Sequence, residues 1–128
     1  MDKNEMERLA SQVVDSALRV HSTLGPGLLE SAYEACLAHE LRMRGIGVRQ
    51  QFDLPVVYRG VRVEVGYRLD LLVEDTVVVE LKAVAKLLPI HEAQLLSYLR
   101  LSGRKIGFLL NFHAPRLRDG MRRLVNDL

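Results

Sequence analysis

Three ionisable residues stand where strand patterning calls for apolar ones: Asp70 lies inside RLDLLV, and Glu80 and Lys82 close TVVVELK. An unpaired carboxylate buried in a core strand is costly, so charges at these positions have to be paired or put to use. Side chains alternate along a strand, which sends Glu80 and Lys82 to one face and Val79 and Leu81 to the other. How Asp70 relates to Glu80 depends on the turn between them. A loop of three residues, Glu74 to Thr76, sets Val73 against Val77 and Asp70 directly opposite Glu80, whereas a two-residue loop would put the acids on different faces. Opposed carboxylates have Cβ atoms about 5 Å apart and repel unless a cation lies between them. A hard divalent ion such as Mg²⁺ reverses that sign, because it takes carboxylate oxygens, keeps several waters and commonly completes its shell with substrate phosphate. An ammonium group beside it can orient or deprotonate an attacking water and offset charge developing on a phosphate. The competing reading is a cross-strand ion pair between Lys82 and Asp70 or Glu80 on a solvated sheet face.

Holding these groups in place requires a sheet backed by helices. Leu9, Val13, Ala17, Val20 and Leu24 recur at three- and four-residue spacing, and residues 28 to 44 repeat that pattern. Two helices are therefore expected, one from Glu5 to about Leu24 and one from Leu28 to about Arg44, separated by Gly25-Pro26-Gly27. β-Branched residues dominate from Val48 to Leu81, with turn signals at Arg59-Gly60 and Glu74-Asp75. This predicts strands near 48–58, 61–73 and 76–82 joined as two hairpins. Pro89 suits a first helical turn, and Ile90, Ala93, Leu95, Leu96, Leu99 and Leu101 form a broad apolar surface before Gly103. Lys105 to Asn111 reads as a strand buried on both faces, and Arg116 to Asp127 as an amphipathic closing helix. The resulting ααβββαβα order implies an α/β fold with a mixed four-stranded sheet flanked by helices. Its last strand should run parallel to the third through a right-handed crossover.

The chain has 128 residues, 48% apolar and 27% charged, the balance of a single globular domain spanning 1–128. A chain of this size buries roughly two-thirds of its unfolded surface and folds without covalent staples; its lone Cys36 forms no internal disulfide and fits a reducing compartment. No apolar run reaches the length of a membrane helix, and the amino end, MDKNEMERLA, is acidic where a signal peptide would be basic. A cytoplasmic location is the expectation. Charge is unevenly spread: residues 1–81 carry 9 Lys and Arg against 13 Asp and Glu, net −4, and residues 82–128 carry 9 against 3, net +6. Such asymmetry suits a phosphate-binding surface, though solvated helix faces look alike in sequence.

Asp70, nine residues, then Glu80-x-Lys82, on a hairpin followed by a helix, resembles the PD-(D/E)XK nuclease superfamily, whose restriction endonuclease-like core has the same helix, three strands, helix, strand order. More specific is Gly27-Leu28-Leu29-Glu30-Ser31-Ala32-Tyr33, similar to the signature that names the GxxExxY family within that superfamily. The resemblance continues through Glu40-Leu41, Tyr58-Arg59-Gly60, Gln94-x-x-x-Tyr98-Leu99 and Asn111-Phe112, from about residue 10 to 126. After Asn111-Phe112, where the family pattern carries glycine, this chain has His113.

The resemblance implies a nuclease that hydrolyses phosphodiester bonds with Mg²⁺ or Mn²⁺, acting on nucleic acid with DNA as the first expectation. The alternative is a module that keeps the fold and binds nucleic acid or protein without cleaving. By the same resemblance Asp70 and Glu80, with the Leu81 carbonyl, hold the metal, and Lys82 is the catalytic lysine. Glu30 is an acid on the first core helix holding a metal-bound water, and Gln94 is a helix glutamine near the metal. A first-turn carboxylate favoured by the helix dipole is the plainer account of Glu30. Tyr33, three residues on, either orients Glu30 or packs in the core with its hydroxyl at the rim. Tyr98 shares a helix face with Gln94, and His91 either meets phosphate or is a solvated first-turn residue. Lys86, Arg100, Arg104, Lys105, Arg116, Arg118, Arg122 and Arg123 are candidate phosphate contacts, some of them merely solvating the last elements. A symmetric homodimer is the usual arrangement for cutting two strands.

Overall fold

The computed structural model describes residues 1–128. In chain order the elements are α1 (Lys3–Leu24), α2 (Glu30–Met43), β1 (Val48–Tyr58), β2 (Val61–Val73), β3 (Val77–Lys82), α3 (Pro89–Ser102), β4 (Ile106–Asn111), a 3₁₀ turn (Leu117–Gly120) and β5 (Met121–Val125). Asp2 caps α1 by accepting the Glu5 N–H at 2.8 Å. Pro89 opens α3, and Gly103, at φ 69°, ends it in the left-handed conformation that glycine adopts freely. No helix is long and apolar enough to cross a membrane.

The strands form one five-stranded sheet in the order β1-β2-β3-β4-β5, with β3 and β4 parallel and every other neighbouring pair antiparallel. Alternation sorts the side chains of the central strands. Val77, Val79, Leu81, Ile106, Phe108 and Leu110 join the core under α1 and α2, while Val78 and Leu109 join a second cluster under Leu95, Tyr98 and Leu99 of α3. All six residues of β4 are buried, and Gly107 admits α3 so closely that a Cβ would lie 3.0 Å from Leu95 Cδ1. Burying both faces at roughly 1.5–3 kcal/mol per large aliphatic side chain makes β3 and β4 the rigid spine of the molecule. The outer half of the β1–β2 hairpin, by contrast, extends past this core with residues 57–68 exposed.

The expected closing helix over 116–127 does not form, and the sheet has five strands instead of four. Leu117, Met121, Leu124 and Val125 have helical spacing, but β4 needs a partner for its outward N–H and C=O groups, and 121–125 supplies one. Met121 then packs on the α1 side and Leu124 on the α3 side. Gly120 is the sequence signal for this turn: a Cβ there would lie 2.8 Å from the Asn111 carbonyl oxygen, so only glycine lets the chain fold back onto the end of β4.

Candidate active site

The β2–β3 turn is the three-residue loop, with Val73 paired to Val77, Leu72 to Val78 and Leu71 to Val79. The backbone ladder stops there, one position short of Asp70 and Glu80. Beyond it the two carboxylates replace the ladder: the Asp70 N–H donates to Glu80 Oε2 at 2.8 Å, and the Leu81 N–H donates to Asp70 Oδ2 at 2.9 Å. Each acid is thus fixed by the other's strand while the strands part. Asp70 is half-buried and Glu80 is only 6% exposed. Burial, followed by the negative charge of Asp70, pushes the Glu80 carboxyl up to about 8, against the opposing pull of the Asp70 N–H and of Lys82. Glu80 Oε1 accepts no protein hydrogen bond and is not sealed from solvent.

Lys82 lies two residues beyond Glu80 and is half-buried. It forms no ion pair with Asp70 or Glu80, so the cross-strand salt bridge that competed with a catalytic reading is not made. Its backbone is held instead: the Lys82 carbonyl accepts the Phe112 N–H at 2.9 Å, and the Asn111 side chain clamps Val84 through its N–H at 3.1 Å and its carbonyl at 2.9 Å. Asn111 thereby fixes the chain as it leaves β3.

A polar network links α2 to Asp70. Glu34 accepts from Gln51 Nε2 at 2.6 Å and from Gln50 Nε2 at 3.0 Å, and Gln51 Nε2 also reaches Asp70 Oδ1 at 3.3 Å. Gln51 falls between the Gln50–Leu71 and Phe52–Leu69 pairs, opposite Asp70, and has φ 51°. A non-glycine residue in that region is strained by on the order of 1 kcal/mol. Around this point strict alternation is also lost: Leu69 and Leu72, three residues apart, both join the α3-side cluster.

The other candidate residues are dispersed. Glu30 opens α2, exposed, and no group of three or more His, Cys, Asp or Glu residues converges as a metal cage, so the expected trio of Asp70, Glu80 and Glu30 is not assembled. The acid of α2 that reaches the site is Glu34, one turn later. Tyr33 does not orient Glu30: it is fully buried and stacked on Phe112 with centroids 4.6 Å apart. Its hydroxyl donates to the Gly25 carbonyl at 2.6 Å and accepts the Leu28 N–H at 3.1 Å. It pins the loop before α2. Tyr98 is buried on α3, where it packs in the cluster with Leu69, Leu72 and Val78 and lies 5.8 Å from the Tyr67 ring; burial, and then the charge of Glu80, pushes its phenol up. Gln94 is exposed one turn earlier. His91 Nδ1 accepts the Leu88 N–H at 3.0 Å and so caps α3.

Of the basic candidates, Arg104 is committed to Asp75 and to the Ser102 carbonyl, and Lys105 to the Asp127 carbonyl. Arg123 is paired with Glu7, and Arg122 bonds the carbonyls of Asp119 and Met121. Lys86 and Arg100 are exposed. Arg116 and Arg118 lie on the α1 side of the molecule, lining a pocket with Arg19 and Arg44.

Sequence reasoning missed Glu34, Gln50 and Gln51. Glu34 carried a signal, four residues after Glu30 and therefore on the same helix face. Gln51 did not. Counting back from the tight turn, where Tyr58 pairs with Val61 and Val56 with Val63, sets Arg49 opposite Asp70, but a bulge between Leu54 and Val56 shifts the register by two.

Two opposed carboxylates, one with a free oxygen and an elevated proton affinity, match the donor set of a hard divalent cation that keeps waters of its own. The family model described as the PD-(D/E)XK nuclease superfamily matches residues 7–124. No curated protein and no solved structure matches the chain.

Proposed function

The chain belongs to the PD-(D/E)XK nuclease superfamily, and from that premise we propose that it hydrolyses phosphodiester bonds in nucleic acid, DNA first, at the point where β2 and β3 part. The observation that carries this reading is the opposition of Asp70 and Glu80 just past the last ladder pair, with Lys82 unpaired two residues on. Asp70 and Glu80 are the residues that would hold Mg²⁺ or Mn²⁺. When bound, the ion acidifies water and neutralises phosphate charge. Lys82 orients the attacking water and offsets negative charge on the phosphate as the bond breaks. Gln51 and Glu34 hold the Asp70 carboxylate in place, and Tyr98 walls the site from α3. Gln94, on the same face as Tyr98, extends it toward substrate.

Within the superfamily we assign the chain to the GxxExxY group, on the resemblance of Gly27 to Tyr33 to that group's signature. Tyr33 ties down the glycine-containing loop and stacks on Phe112. We place the protein in the cytoplasm as a single domain, with two copies pairing when both strands are cut. The test is cleavage of DNA and RNA by the purified protein in Mg²⁺ or in chelator, alongside Asp70→Ala and Lys82→Ala. Metal-dependent cleavage lost in both variants supports the reading. Cleavage unchanged in the variants excludes these roles, and salt-sensitive DNA binding with no cleavage would make the chain a binding module.

A further inference from the structure

On the α1 side, away from the acid pair, a pocket of about 360 Å³ opens between the second half of α1, the residue that follows α2 and the 3₁₀ turn. Arg19, Arg44, Arg116, Arg118, His21 and Asp15 are among its walls. We propose that this pocket is a receptor for a phosphate monoester, carried by a free nucleotide or by the end of a nucleic-acid strand.

The charge balance is the first argument. Four guanidiniums, all permanently charged, face a single carboxylate. That carboxylate, Asp15, is already bound to Arg44 at 2.8 Å, and Arg44 is also held by Glu40 at 3.0 Å. Arg19, Arg116 and Arg118 form no ion pair. Like charges gathered in one concavity repel, and an anion between them converts that repulsion into attraction. The planar fork of a guanidinium matches a phosphate with two parallel hydrogen bonds, and several such forks suit the two charges of a monoester better than the single charge of a diester.

The pocket is also built rather than incidental. Leu117 is buried in the core between Arg116 and Arg118, and Gly120 ends the turn where no side chain fits, so the two arginines project from a fixed segment. His21 is 8% exposed, with Nε2 2.8 Å from the Ala114 carbonyl, which assigns the proton to that nitrogen. That bond ties α1 to the segment that leads into the 3₁₀ turn. A volume of about 360 Å³ takes a mononucleotide or a strand terminus but not a duplex. None of these residues takes part in the Glu34, Gln51, Asp70, Glu80 network, so the receptor stands whether or not the acid pair cleaves.

The test is calorimetric titration in chelator with three probes: inorganic phosphate, a nucleoside 5′-monophosphate, and a short single strand with and without a 5′-phosphate. Binding is expected to weaken roughly tenfold or more in Arg116→Ala/Arg118→Ala, the loss expected for two charge-assisted hydrogen bonds. In Asp70→Ala it is expected to be unchanged. Phosphate and mononucleotide binding locate the source in free nucleotides, and binding only of the phosphorylated strand locates it in strand ends; either supports the receptor. Absence of binding by all probes overturns it, as does binding that the double variant retains or that the unphosphorylated strand equals. Circular dichroism and thermal unfolding of the double variant, whose substituted side chains are exposed, separate lost contacts from lost fold.

Discussion

The molecule gathers like charge in two places, and their surroundings differ in a way that accounts for how each behaves. Asp70 and Glu80 sit on adjacent strands with Glu80 nearly out of water, and burial first, then the charge of Asp70, pushes the Glu80 carboxyl up to about 8. The arginines sit on a helix surface and a turn, where solvent and mobile ions weaken the same repulsion. The acid pair is therefore strained by its ionised state when no cation is present, and the arginine pocket tolerates its charge while waiting for an anion. Rigid backbone makes the difference. Strands that hold two carboxylates through each other's amides cannot let them drift apart, whereas arginine side chains on an open wall can.

Breaking the acid pair should produce the largest effect. Asp70→Asn removes one charge and its fit to a hard cation, and cleavage in Mg²⁺ should fall by about 10³-fold or more; Lys82→Ala should cost about 10²-fold or more, the range for a positioned proton-transfer group. Steady-state rates on one labelled duplex measure both, and a variant within a few-fold of the parent would remove that residue from the chemistry.

Proton linkage gives the next largest effect, and its sign follows from the direction of the shift. In chelator the folded protein keeps the Glu80 proton up to about pH 8, while the unfolded chain releases it near the ordinary value of 4.5. Stability from this group is therefore whole below the ordinary value and is lost as pH rises toward the folded one, a loss on the order of a few kcal/mol. Urea midpoints at pH 5 and pH 8 should fall for the parent and stay nearly level for Glu80→Gln, and saturating Mg²⁺ should shrink the parent's loss. Parallel pH profiles for the two proteins would refute the account.

Gln51→Gly separates position from stability. Relief of the left-handed backbone offsets the lost hydrogen bonds to Glu34 and Asp70, so unfolding should change by no more than about 1 kcal/mol while cleavage drops about tenfold. A large loss of stability with unaltered turnover would reverse the assignment. The smallest effect sharpens the contrast between the two charge clusters: raising NaCl from about 0.05 to about 0.5 M should weaken phosphate binding at the arginine pocket several-fold, yet leave the pH window of Glu80 nearly in place, because a buried group is screened less.

Alternation reduced the relation of the acid pair to one unknown, the length of a turn. Side chains repeat every second residue, so a three-residue loop sets Asp70 against Glu80 and a two-residue loop separates them; the Val73–Val77 pair decides for three. The three main helices and β1 to β4 were legible for the same reason, since burial of one face or two writes a period into the chain. Tyr33 was ambiguous because a tyrosine three residues after an acid serves a site or a core equally well; its stacking on Phe112, 79 residues away in sequence, decides for the core.

What the amino-acid order determined by itself is what depends on neighbours in sequence: helix faces, strand faces and the places where the chain turns. Tertiary structure alone decided the rest. Residues 121–125 became a strand because β4 had an open edge to fill, a bulge moved Gln51 opposite Asp70, Glu34 and not Glu30 joined the network that reaches Asp70, and Arg19 met Arg116 across a gap of 97 positions. Such contacts join segments that carry no common period, so beyond the helix-face spacing of Glu34 and the glycine at 120 the linear pattern does not mark them until the sheet has brought the segments together.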